Sequence, residues 1–379
     1  MTGMSLEPLK PPVWVDTNLA LERAAADFAS EPRVSVDTEA NSLHAYREQV
    51  CLIQFSTPNT DYLIDPIALT DLSVLAPVFS NPKIEKVFHA AEYDLIGLRR
   101  DFDFTFANLF DTMQAARILG YHGVGLDRLL GEKFGIKIDK RHQKADWAAR
   151  PLKPDQIHYA RLDTHYLFNL RDLLESELRQ KNRWELACED FSRACGSDEP
   201  KEKTNGGAYW KRFSARKDVN ARELTILNEL CLVRNGIASR MNRPPFKVVD
   251  DDKLIEMARC TPVHEVDLAG IGLSSRQINL WGADMLMAVQ RGMDAPLVTR
   301  ERVKRPNDAM LKRLDKLKKW RKSVAEEIGV ESDVVLPKIY LNMLAENPPK
   351  NAGELKTAMA KSPWRFSEYG LQILSLLGG

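Results

Sequence analysis

Along the first half of the chain the spacing of hydrophobic positions changes period. Residues 33–38 (RVSVDT) alternate, the period-2 pattern of a strand. Residues 50–56 (VCLIQFS) and 61–64 (DYLI) are apolar runs separated by a Thr-Pro-Asn turn, which reads as a hairpin. Residues 86–89 (KVFH) form another short strand pattern. The period then lengthens. Helical spacing covers 91–102, 111–119, 126–134 and 154–181, so the sequence predicts an α/β domain whose sheet has an antiparallel part.

Everything after residue 208 reads as helix. Leu224, Leu227, Cys231 and Ala238 recur at helical spacing within 221–241, and Met310, Leu314, Leu317, Val324 and Ile328 do so within 310–328. Ser362 before Pro363 is the signature of an N-cap and first helical position, opening a last helix to Leu377. Two stretches rich in Gly, Pro and charge, 195–207 and 292–308, break the pattern. The expected organisation is an α/β domain over 1–200, its mixed sheet flanked by helices, then two small all-α domains over 208–295 and 305–379.

Charge sharpens the division. Residues 1–200 hold 23 Lys and Arg against 31 Asp and Glu, whereas residues 201–379 hold 31 against 22. An acidic part suits cations and a basic part suits phosphates, although two domains of different surface charge would look the same. No stretch approaches the ~20 apolar residues of a membrane span, and residues 1–10 lack the apolar core of a signal peptide, so the expectation is a cytoplasmic protein. The five cysteines form no C-x-x-C pair, which argues against structural zinc.

Acidic residues carry the candidate chemistry. Asp37 and Glu39 sit two apart on a strand and share a face, with Val34, Val36 and Thr38 on the other. Neighbouring acids repel, and a divalent cation between them removes that penalty. Asp94 lies in the first turn of the helix after 86–89, where the macrodipole alone also favours an acid. Tyr159 and Asp163 are one helical turn apart, and Asp163 shares the apolar stripe of Leu167, Leu170 and Leu174. A carboxylate on a core-facing stripe needs a metal, a cation or strong hydrogen bonds. Each motif alone has an ordinary structural explanation; their order along one chain is the signal.

With those residues in place, the sequence resembles the DEDD exonuclease superfamily in its Tyr-bearing branch, most closely the ribonuclease D family. Residues 50–56, Phe110-Asp111-Thr112, Asp146-Trp147 and Arg150-Pro151-Leu152 share in the resemblance. The tail resembles HRDC modules, more strongly over 208–292 than over 308–379. The resemblance implies an RNase H-like sheet and a 3′→5′ exonuclease acting on RNA, with transfer-RNA 3′ ends as substrates. It implies Asp37, Glu39, Asp94 and Asp163 as ligands of two divalent ions, Mg²⁺ or Mn²⁺, with Tyr159 orienting the attacking water. The expected partner is RNA rather than a membrane, and the expected assembly a monomer. A DNA exonuclease, or a silent nucleic-acid-binding scaffold, would carry related patterns.

Substrate contacts are expected from Leu43, His44 and His89, and from Lys140, Arg141, Gln143 and Trp147 within the cationic segment 137–147. Gln54, in an otherwise apolar strand, reads as serving the sheet. Residues 302–322 hold ten Lys and Arg against two Asp, a run that suits an RNA backbone or simply a solvated face.

Overall fold

A computed structural model describes residues 9–196, 208–299 and 307–378. Six strands form one sheet: β1 (Val13–Val15), β2 (Arg33–Ala40), β3 (Val50–Ser56), β4 (Asp61–Ile64), β5 (Glu85–Phe88) and β6 (Leu109–Asp111), in the order β1-β4-β3-β2-β5-β6. β2 lies inside, antiparallel to β3 and parallel to β5, and β5 is parallel to β6. The β2–β3 register places Asp37 opposite Gln54 and Glu39 opposite Leu52, whereas β5 pairs only with Arg33–Ser35. The two acids therefore project past the end of β5. This is the carboxyl end of parallel strands, where open α/β sheets leave a crevice.

The helices of this part are α1 (Asn18–Ser30), α2 (Ala76–Ser80), α3 (Glu92–Phe102), α4 (Thr112–Leu119), α5 (Leu126–Phe134), α6 (Pro154–His165), α7 (Leu167–Gln180) and α8 (Trp184–Cys195). One sheet face packs Val34, Val36, Ile53 and Phe55 into the main core with Phe28 of α1 and Phe79 of α2. The other face receives α6. The single helix expected over 154–181 is broken at Tyr166, and no Gly or Pro marks the break. Hydroxyls of the sheet supply the reason: Ser35 Oγ donates to the Thr164 carbonyl at 3.0 Å, and Ser56 Oγ lies 2.7 Å from Thr164 Oγ1. Asp61 fastens the same helix, accepting from Arg161 Nη2 at 2.6 Å and lying 2.9 Å from His165 Nδ1.

The other helices are α9 (Ala221–Arg240), α10 (Pro245–Val248), α11 (Asp251–Cys260), α12 (Glu265–Gly270), α13 (Ser275–Asp294), α14 (Asp308–Ile328), α15 (Ser332–Val335), α16 (Lys338–Glu346), α17 (Ala352–Ala358) and α18 (Pro363–Leu377). The chain divides into two compact units. Of the described residues, 9–40, 50–196 and 307–378 lie within one, and 41–49 and 208–299 within the other. The second unit is built on α9 against α13. Their approach is so close that a Cβ on Gly292 would lie 2.5 Å from Ile226 Cα. Tyr46, from the loop Asn41–Gln49, packs on this unit's core and donates its backbone N–H to Asn242.

The last five helices have an apolar cluster of their own and group with the first unit. Arg365 of α18, fully buried, donates to Glu189 and Asp190 of α8 and to the Val334 carbonyl. Ser362 is the N-cap position of α18 with Pro363 next to it, as the sequence suggests, but its hydroxyl makes no capping bond and is buried without a partner among the described residues. Glu189 takes that role from another helix, accepting the backbone N–H groups of Trp364 and Arg365. Gly120, at φ 83°, sits against Gly329: a Cβ there would lie 2.1 Å from the Gly329 carbonyl oxygen.

Candidate active site

Asp37, Glu39 and Asp163 converge, each offering a carboxylate oxygen within 4.8 Å of the others. β2 supplies the first two and α6 the third. Asp94 lines the same cavity from the first turn of α3 but stands outside that tight group. Thr38, between the two strand acids, donates its hydroxyl to Asp94 Oδ1 at 2.5 Å and so ties α3 to β2. The cavity holds about 380 Å³; His89, Tyr93, Lys140, Gln143 and Tyr159 are also on its wall. A larger cavity of about 540 Å³, beside β6, has Glu85 as its single acid.

Electrostatics sets this cluster apart. Burial first, and then the charges of the other acids, raise Asp37 and Glu39 well above the usual carboxylate range. Burial pushes Asp94 up to about 7 and Asp163 up to about 8. Crowded carboxylate oxygens form a hard-oxygen site for a divalent ion, so the donor set fits Mg²⁺ or Mn²⁺. Burial, followed by Asp163, Glu39 and Asp37, also drives the Tyr159 phenol far above its ordinary range.

The other expected contacts fare differently. Lys140 lines the cavity and pairs with Asp127 at 2.8 Å; Gln143 lines it too. His89 lines it, but burial lowers it to about 4 and its Nδ1 is engaged with Thr112 Oγ1 at 2.9 Å, so near neutral pH it is an uncharged wall. Arg141 instead lines a neighbouring 260 Å³ cavity and pairs with Asp139. Leu43 and His44 lie in the loop Asn41–Gln49, which belongs to the other compact unit. Trp147 must be corrected: at 1% exposure it cannot stack a base, and its ring packs 6.0 Å from that of Tyr159, backing the phenol. The basic run is corrected in part. Arg313 and Arg321 bond carbonyls of Ala345 and Leu336, Lys312, Lys316, Lys318, Lys319 and Lys322 are exposed, and Arg302, Lys304 and Arg305 lie outside the described residues.

Three residues of the site are not evident from sequence pattern. Thr38 is one. Asp111 is another: its buried carboxylate accepts from the N–H groups of Ala90, Ala91, Met113 and Gln114, holding the turn that launches α3 and capping α4. Its signal is the Phe110-Asp111-Thr112 triplet. The third is Tyr93, an aromatic on the cavity wall that is 83% exposed.

Comparison with known proteins agrees with this architecture. A 3′-5′ exonuclease family model matches residues 12–179, and an HRDC domain model matches 223–289 and 310–377. Ribonuclease D of Gluconacetobacter diazotrophicus is 31% identical over 97% of this chain and 93% of its own. The chain belongs to the ribonuclease D family. It is also 32% identical to the exosome complex exonuclease RRP6 of Saccharomyces cerevisiae, over 69% of this chain. It spans only 37% of that relative's length, and 21% of that of Protein RRP6-like 3 of Arabidopsis thaliana. The crystal structure of Escherichia coli RNase D shares the ribonuclease D fold seen here, with a TM-score of 0.69 at 24% identity, covering 97% of this chain and 99% of that one.

Proposed function

We propose that this chain is a 3′→5′ exoribonuclease that hydrolyses RNA from its 3′ end with two divalent cations and releases nucleoside 5′-monophosphates. The observation that carries it is the convergence of Asp37, Glu39 and Asp163, with Asp94 and Tyr159 on the wall of the same cavity. Family membership supports the RNA half of the reading; transfer-RNA precursors are the substrates that the resemblance read from the sequence implies. No helix of the described residues is long and apolar enough to cross a membrane, and a cytoplasmic location accords with work on RNA.

Asp37, Glu39, Asp94 and Asp163 would hold the ions. Bound divalent ions supply a nucleophile near neutral pH and offset charge on the leaving oxygen. The residues of the chain do the rest. Tyr159, kept protonated, orients the attacking water as a hydrogen-bond partner rather than taking its proton. The water oxygen bonds to phosphorus, the bond from phosphorus to the 3′ oxygen breaks, and that oxygen gains a proton. Trp147 holds the Tyr159 ring in place. Tyr93 offers a face on which the terminal base can stack, and the exposed lysines of α14 offer charge to the backbone.

The deciding experiment is digestion of a transfer-RNA precursor bearing extra 3′ residues, beside a DNA strand of matching sequence and a 3′-phosphorylated RNA. Stepwise loss of 5′-monophosphates from the 3′-hydroxyl RNA is expected. Preference for the DNA strand would favour a DNA exonuclease, and no product in any metal would leave a binding scaffold.

The acid cluster also fixes a pH dependence. A carboxyl that titrates higher in the folded than in the unfolded chain binds extra protons on folding. The stability it contributes at low pH is lost as pH rises through the folded values, about 7 and 8 for Asp94 and Asp163. A divalent ion replaces those protons. Adding Mn²⁺ should therefore raise the unfolding temperature more at about pH 8.5 than at about pH 6, where protons compete for the same oxygens. Thermal unfolding with and without Mn²⁺ at both values checks it; an equal rise at both would count against the cluster as the binding site.

A further inference from the structure

On the face of β3 that meets α6, Gln54 stands between Leu52 and Ser56. Ser56 has its partners in Asp61 and Thr164. Gln54 has none: it is fully buried, and neither its amide nitrogen nor its amide oxygen finds a hydrogen-bond partner among the described residues. An unpaired buried amide is costly, and Met or Leu would fill similar space without that cost. An orphan of this kind needs an explanation in its surroundings.

Register provides one. Gln54 lies directly opposite Asp37 on β2, and opposite Leu63 on its other flank. Cross-strand neighbours on one face stand about 4.5–5.5 Å apart at Cβ, well within the reach of a glutamine side chain. Of those two neighbours only Asp37 carries a polar side chain. The same face then continues to Glu39, and α6 closes over it with Tyr159, Ala160 and Asp163. The orphaned amide is thus the polar group behind the acid cluster, on the buried side of Asp37.

We propose that Gln54 is a positioning residue for the cation site. Its amide N–H donates to the Asp37 carboxylate when that carboxylate turns to a bound divalent ion, fixing the rotamer and leaving the other oxygen for the ion. Outer hydrogen bonds of this kind typically change metal affinity by about 10–100-fold. The inference rests on the reading of Asp37, Glu39 and Asp163 as cation ligands, so its test keeps the two apart.

Mn²⁺ binding is measured by calorimetry on the full chain, for the wild type, Gln54→Met and Asp163→Asn, alongside RNA hydrolysis across a Mg²⁺ titration. Gln54→Met should weaken Mn²⁺ binding about 10–100-fold and lower kcat at limiting Mg²⁺. Excess Mg²⁺ should restore kcat, with KM for RNA unchanged. Wild-type Mn²⁺ affinity in Gln54→Met, with binding lost in Asp163→Asn, overturns the role of Gln54 and leaves the cation site standing. Wild-type affinity in both overturns the cation site itself. If Gln54→Met fails to fold, Gln54→Leu is read in the same way. A measurement that needs no variant uses wild-type chain labelled with ¹⁵N in its glutamine side chains: one amide pair should gain protection from hydrogen exchange on addition of Mg²⁺. An unchanged set of amide signals overturns the proposal.

Discussion

Replacing Asp163 by Asn is expected to remove RNA hydrolysis and, in the same molecule, to raise the stability of the metal-free protein. The two effects have one origin. Asp163 shares a small volume with Asp37 and Glu39, and burial and crowding make its charge unfavourable when no cation is present. Asparagine keeps the shape and removes the charge. The fold loses a source of repulsion, and the site loses one of its oxygen anions. Loss of a single group aimed at reacting charge commonly costs about 10²–10³-fold in rate, and a lost ligand should cost at least that. Turnover on 3′-labelled RNA and thermal unfolding without divalent ions give the two readings. Wild-type turnover in Asp163→Asn would end the two-cation reading, and lower stability would mean that Asp163 has a structural partner the acid cluster does not explain.

The second large effect belongs to Arg365. Its guanidinium, fully buried, holds Glu189 and Asp190, which are themselves buried. Arg365→Leu leaves Glu189 in the interior without its cation and Asp190 with Arg193 of its own helix, at 2.9 Å, as its remaining one, and breaking a buried pair from one side costs about 3–5 kcal/mol. Urea unfolding of the full chain reads this directly. Adding Glu189→Gln and Asp190→Asn to Arg365→Leu should recover a large part of the loss, because the penalty comes from stranded charge more than from missing attraction. A loss as large in the triple variant would instead assign the effect to packing around α18.

Much of the site is legible in the sequence because its acids obey local periodicities. Strand alternation puts Asp37 and Glu39 on one face, and the helical stripe through Leu167 and Leu170 points Asp163 inward despite the break at Tyr166. What local pattern does not reveal depends on partners distant in the chain. Trp147 beside four cations looks like a stacking residue until Cys51, Leu52 and Leu63 enclose it. Thr38 looks like a filler until Asp94, 56 positions away, accepts its hydroxyl. Short elements escape for another reason: β1 and β6 span three residues each, too few to show a period. The last helices read correctly as helices, but their membership in the first unit depends on contacts such as Arg117 with Glu331 and Asp333, which no local spacing encodes.

The ion pair between α8 and α18 also carries a consequence for synthesis. Asp190 and Arg365 are 175 positions apart. A ribosome adding about 5–20 residues per second needs roughly 9–35 s to make that stretch. For that interval the nascent chain already contains every acid of the buried cluster, but α8 has yet to receive the buried cation of Arg365, and α18 is still to be made. The first unit is therefore completed only once α18 has been made, and a chain released before that point lacks part of this unit's interior.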